Sequence, residues 1–195
     1  MTEHVSPRND EPVKSFGPVA VALHWIIAAA MAGSVILAWE VMGMDAGDGR
    51  TARLAIHKSV GTAILMLAAF RLAWRARHPA PAYAVPMPPW QRLAAHGAHW
   101  LLYVLMLAMP VTGYVSEAAR ARKTDFFGLF DIPRLVPLDR KLSLYAQTAH
   151  SWSRYLLYAL VAAHVGAALY HQFVLRDRLL ERMLPVRKGR AASGP

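Results

Sequence analysis

Seven of the nine histidines in this chain lie inside or at the ends of long apolar runs: His24, His57, His96, His99, His150, His164 and His171. An imidazole placed there can ligate a metal through one ring nitrogen, move a proton, or rest neutral against a carbonyl or hydroxyl. The last role would account for any single one of them. It does not account well for the set, because ionisable groups at membrane depth are costly and mark function by default. His150 and His164 are 14 residues apart. On one helix that is a rise of about 21 Å and an azimuthal difference of about 40°. The two face the same side, one toward each end of a membrane-length helix.

The rest of the chain must supply the elements that position these rings. Of 195 residues, 55% are hydrophobic and 17% charged, against about 45–50% and 25% in an ordinary soluble domain. A bilayer core needs roughly 20 apolar residues in helical form. Runs 20–39, 93–115 and 155–174 carry no charge at all. A fourth run, 54–74, is bracketed by Lys58 and Arg71, which must snorkel toward opposite interfaces. Residues 142–153 contain no charge, proline or glycine, so the last helix extends back through His150, with Arg154 near an interface. After Val174 the sequence RDRLLERMLPVRKGR is amphipathic and basic and reads as a helix along the membrane surface. The expected fold is all-α: a four-helix transmembrane bundle with a short amphipathic C-terminal helix. Its expected parts are a cytoplasmic tail 1–18, a four-span domain 19–175, and a basic cytoplasmic segment 176–195.

Composition and charge exclude several functions. Cysteine is absent, so there is no disulfide, no cysteine-held iron–sulfur cluster and no CxxCH haem attachment. The net charge of +10 lies in loops and tails between the apolar runs. There it suits anionic lipid headgroups better than nucleic acid. Residues 1–18 include Glu3, Asp10 and Glu11 and precede a run long enough to span, so no cleavable signal is expected. The distribution of Lys and Arg favours both termini on the cytoplasmic side of a bacterial inner membrane. The connection 78–90 carries five prolines and reads as an extended strap. The outer loop 116–141 contains FFGLF, an aromatic cluster expected to dip into the interface and cover what lies beneath it.

With that topology the histidines sort by depth. His57, at the start of the second span, lies at the depth of His150. His24, at the start of the first, lies at the depth of His164. His96 or His99 also lies near the inner surface and could replace His24; three residues apart, they share one helix face. Two stacked bis-histidine sites suit a planar haem, which needs only two facing imidazoles and an apolar slot. Structural zinc would require four ligands. Gly61, near His57, and Gly166, near His164, would let a porphyrin approach the backbone, although close helix packing explains each glycine alone. Lys58, Arg71, Arg75 and Arg154 are candidate contacts for haem propionates or other anions, and each would serve equally as an interfacial anchor.

The residues that carry this pattern resemble the bacterial cytochrome b561 family of small dihaem membrane proteins. The resemblance runs over about residues 17–185. It includes ALHW at His24, IHKSVG at His57, AHGAHWLLYVLMLAMPVTGY, FFGLFDIP, and AHSWSRYLLYALVAAHVGAALYHQFVLRDRLLERMLP. It implies two haem b groups, with His24 and His164 as axial ligands of the inner iron and His57 and His150 of the outer. His96 and His99 are left as nonligands. For members of this compact form it further implies oxidation of superoxide at the periplasmic face and reduction of ubiquinone, with His171 near the quinone. A basic outer set, including Arg50, Lys58, Arg122 and Arg154, could steer the superoxide anion. Two other functions compete with this one. One is a haem-b anchor passing electrons from a dehydrogenase or hydrogenase partner to quinone; the other is a histidine-lined transporter or metal-binding protein without haem.

Overall fold

The computed structural model describes residues 15–81 and 88–184. The basic residues Arg8, Lys14, Arg187, Lys188 and Arg190 and residues 82–87 of the proline strap lie outside them. Four long helices follow in order: α1 Pro18–Gly43, α2 Asp48–Arg77, α3 Pro89–Ala118 and α4 Arg140–Tyr170. Each is long and apolar enough to cross a bilayer, and the chain is a multi-pass membrane protein. Proline opens α1 and α3 at a position where its missing N–H is no loss. Asp139 caps α4, accepting from the N–H groups of Lys141 (2.7 Å) and Leu142 (3.1 Å). That cap explains why α4 starts well before its apolar run and carries His150 within it.

Alternate directions of the helices define two faces. The terminal face holds the start of α1 and the end of α4; the loop face holds the 44–47 and 119–139 connections. Much of the helices' outer surface is bulky and apolar: Ile26, Ile36, Met66, Phe70 and Val104 are all exposed, as lipid contact requires. The interior is sparsely filled. Among the described residues, no side chain larger than serine falls below 2% exposure; Ser59, Ala68 and Ser143 do. α1 packs closely on α2, α2 on α3, and α3 on α4. Of the long helices, α4 packs closely only against α3, so it stands off from α1 and α2.

The loop face carries a small hairpin, β1 Asp125–Phe126 with β2 Phe130–Asp131. Its turn holds Phe127 at φ +51° and Gly128 at φ +72°, the left-handed pair of a type I′ connection. Buried Ser59 of α2 secures it: its hydroxyl donates to the Asp125 carbonyl (3.1 Å) and accepts from the Phe127 N–H (2.9 Å). Phe127, Leu129 and Phe130 project outward, in keeping with an aromatic cluster at the interface. At the other end α4 widens into a π turn, His171–Leu175, and the amphipathic helix expected beyond it is, among the described residues, one 3-10 turn, Leu180–Met183. The chain cannot continue as helix because Arg176 and Arg178 adopt φ +54° and +61°. The 3-10 turn folds back on the bundle: Trp25 donates to the Met183 carbonyl (2.7 Å) and Phe16 N–H to that of Arg182 (3.1 Å). Its exposed Arg178–Glu181 ion pair (2.7 Å) holds the Glu181 carboxyl below the usual carboxylate range.

Candidate functional site

The gap between α4 and the α1–α2 pair is bridged by histidines. His57 of α2 and His150 of α4 face each other near the loop face with ring centroids 6.2 Å apart and planes at 89°. His24 of α1 and His164 of α4 do the same near the terminal face, at 6.2 Å and 63°. A metal–imidazole bond is about 2 Å and a ring nitrogen lies about 1.1–1.2 Å from its ring centre, so two imidazoles trans to one metal have centroids about 6.2–6.4 Å apart. Both pairs meet that spacing. The residues present therefore fit a metal-centred group that could be held between two imidazoles at each level. His99 of α3 also approaches His164, at 5.3 Å, which is shorter than the trans arrangement needs. The partners brought together across the gap are the two pairs that depth alone suggests. His99 lies near enough to explain why spacing left it open.

Around the loop-face pair lies a cavity of about 400 Å³, lined by residues of all four helices. The two rings are aimed by their other nitrogens. His57 Nδ1 lies 3.0 Å from the Ser34 carbonyl and 3.1 Å from its hydroxyl, and His150 Nδ1 lies 2.8 Å from the Met109 carbonyl. With Nδ1–H donating, Nε2 is the nitrogen free to ligate. Gly113 allows the second arrangement: a Cβ there would sit 3.1 Å from His150 Cε1 and 3.2 Å from Nδ1. Gly61 also lines the cavity, and a Cβ on it would meet no atom within 4 Å. The same wall carries Thr124, whose Oγ1 is buried with no hydrogen-bond partner among the described residues. It is available to an occupant. Ser34, Met109, Gly113 and Thr124 are the residues that sequence reasoning missed. Only Gly113 left a trace, one turn after Met109 in MPVTGY.

The candidate cations divide. Lys58 and Arg154 line the loop-face cavity, together with Arg50 and Arg122. Lys58 Nζ donates to the Lys123 carbonyl (2.8 Å) and pairs with buried Glu117 at 3.4 Å, which also takes Arg122 at 3.2 Å. Arg154 donates to Tyr155 Oη (2.8 Å). Arg71, expected to snorkel, is instead bonded within the bundle, to the Ala20 carbonyl (2.8 Å) and Tyr103 Oη (3.1 Å). It ties three helices beside His24 and His164. His171 is buried at the terminal end, 8% exposed, with Nδ1 2.5 Å from Asp177 Oδ2. That contact replaces the alternative of a free interfacial histidine.

Comparison with known sequences agrees with this architecture. A family model described as prokaryotic cytochrome b561 matches residues 15–186. Cytochrome b561 homolog 2 of Escherichia coli is 30% identical over 170 residues, covering 87% of this chain and 90% of that protein. Cytochrome b561 homolog 1 of the same organism is 31% identical over 175 residues, 89% and 98% of the two chains. The probable superoxide oxidase CybB of Yersinia pestis is 29% identical over 179 residues, 90% and 99%. Four membrane-length helices, histidines facing across an open interior, and a match over nearly the whole length have one common explanation: the chain belongs to the prokaryotic cytochrome b561 family of electron-transferring membrane proteins with b-type haem.

Proposed function

We propose that this protein is a superoxide:ubiquinone oxidoreductase of the bacterial inner membrane, with both termini cytoplasmic. His57 and His150 would hold one haem b toward the periplasm, and His24 and His164 a second toward the cytoplasm. Bound there, each would supply one-electron chemistry at iron. The observation that carries the pairing is the matching 6.2 Å ring separation at both levels of a gap that α4 leaves open. The residues of the chain do the rest. Ser34 and Met109 fix the tautomers and orientation of the outer ligands. Lys58, Arg154 and Thr124 offer donors to propionates at the outer level, and Arg71 does so at the inner. Arg50, Lys58, Arg122 and Arg154, against the single carboxylate of Glu117, give the periplasmic cavity a positive lining that favours a small anion. The likeness to a probable superoxide oxidase supports superoxide as that anion. His171, seven residues beyond His164 and about 10 Å further toward the cytoplasmic end, would serve a quinone headgroup on that side.

Stopped-flow absorbance on purified protein of known haem content tests the reading. Superoxide should reduce the haem rapidly, and ubiquinone-1 should then reoxidise it. Two haems per chain are expected. No reduction by superoxide would overturn the donor assignment and favour a dehydrogenase partner in its place. One haem per chain would overturn the double pairing.

A further inference from the structure

The end of α4 is built around one carboxylate. The π turn His171–Leu175 widens the last helical turn, and Arg176 and Arg178 then take left-handed backbone on either side of Asp177. Arginine adopts that conformation only when its surroundings impose it. The result is that Asp177 folds back onto His171. Its N–H donates to the His171 carbonyl (3.2 Å), Oδ2 accepts from His171 Nδ1 (2.5 Å), and Oδ1 accepts from the Leu179 N–H (3.1 Å). Both side chains are largely buried, 10% and 13% exposed. One residue further, Gln172 Oε1 is buried with no hydrogen-bond partner among the described residues.

We propose that Asp177 is the positioning residue of a carboxylate–imidazole pair that delivers a proton to quinone. This rests on the reading of His171 as the quinone-side residue. A carboxylate on Nδ1–H fixes the tautomer and leaves Nε2 to face the substrate, and it stabilises the imidazolium from which a proton is given. The overall change joins two superoxide anions, one quinone and two protons to give two O2 and one quinol. Each superoxide loses one electron, and the quinone gains two. His171 passes a proton from Nε2 to a quinone oxygen and is recharged from water on the cytoplasmic side. Gln172 Oε1 is an acceptor available to the hydroxyl that forms.

The test uses Asp177→Asn, Asp177→Glu and His171→Gln in haem-loaded protein. Asparagine keeps an oxygen for the Leu179 N–H, so the turn is retained, but its amide donates to Nδ1 and forces the opposite tautomer. Reoxidation of pre-reduced haem by ubiquinone-1 should slow about tenfold or more in Asp177→Asn, while reduction by superoxide and haem content hold. Asp177→Glu should recover most of the rate, and ¹⁵N-histidine spectra should show the tautomer exchange in Asp177→Asn alone. If Asp177→Asn reoxidises at the parental rate while His171→Gln is slow, the quinone reading stands and the role of Asp177 is overturned. Parental rates in both would overturn the quinone reading itself. Loss of haem or slowed reduction by superoxide in Asp177→Asn would make Asp177 a folding residue and overturn the proposal.

Discussion

At the scale of single residues, the facing of His57 and His150 depends on what is missing as much as on what is present. His150 lies flat enough against α3 to reach the Met109 carbonyl only because residue 113 has no Cβ. In Gly113→Ala the new methyl carbon would need the ring to retreat by a few tenths of an ångström, and such overpacking costs about 1–3 kcal/mol. The ring would then lose its 2.8 Å bond or its place opposite His57. Gly113→Ala should therefore bind less than the parental haem, approaching one per chain, as His150→Ala should in full; a pyridine haemochrome assay measures both. Two haems per chain in Gly113→Ala would show that the ring has freedom the structure does not give it. The histidines at membrane depth were legible in the sequence because imidazole there is rare, but spacing left His96 and His99 open, and the resemblance to the family narrowed the candidates to four. Gly113 was not, since its reason lies on another helix.

At the scale of elements, the sequence reads well wherever apolar length decides and poorly where backbone conformation does. Three spans follow from uncharged runs, the second from an apolar run bracketed by Lys58 and Arg71, and the backward extension of α4 through His150 from the absence of charge, proline and glycine over 142–153. The turn after Val174 does not, because two arginines in left-handed backbone break a pattern that is amphipathic on paper. The hairpin at 125–131 is a similar case. Its aromatic cluster was visible, but its anchor is Ser59, 66 residues from Asp125, the carbonyl it holds. Ser59 is 1% exposed, and its single hydroxyl proton is shared between the Asp125 carbonyl and the Ala55 carbonyl at 3.0 Å. Ser59→Ala would leave the Phe127 N–H without its acceptor, a loss of about 1–3 kcal/mol, and would free a turn that holds Phe127 in strained backbone. Amide exchange across 125–131 should accelerate markedly while the spans stay protected. Unchanged exchange would mean that the hairpin holds itself.

At the scale of the whole molecule, charge and vacancy are arranged on the same axis. α4 stands away from α1 and α2 along its length, and the loop-face end of that gap is lined by Arg50, Lys58, Arg122 and Arg154. Lys58 and Arg50 also hold backbone, donating to the carbonyls of Lys123 (2.8 Å) and Val41 (3.2 Å), so neutralising them would mix structure with field. Arg122, which is exposed, and Arg154, which is half-buried, are better probes, since both line the cavity and bond to side chains. A field acting on a diffusing anion reaches about 10 Å at 0.1 M salt and fades beyond it. The bimolecular rate of haem reduction by superoxide should therefore fall steeply with added salt. The double change Arg122→Gln and Arg154→Gln should lower that rate several-fold at low salt and flatten its salt dependence. Arg77→Gln, on the exposed last turn of α2 at the opposite face, should do neither. Equal slopes in all three proteins would mean that superoxide arrives without guidance and that these arginines serve only to seat the outer haem.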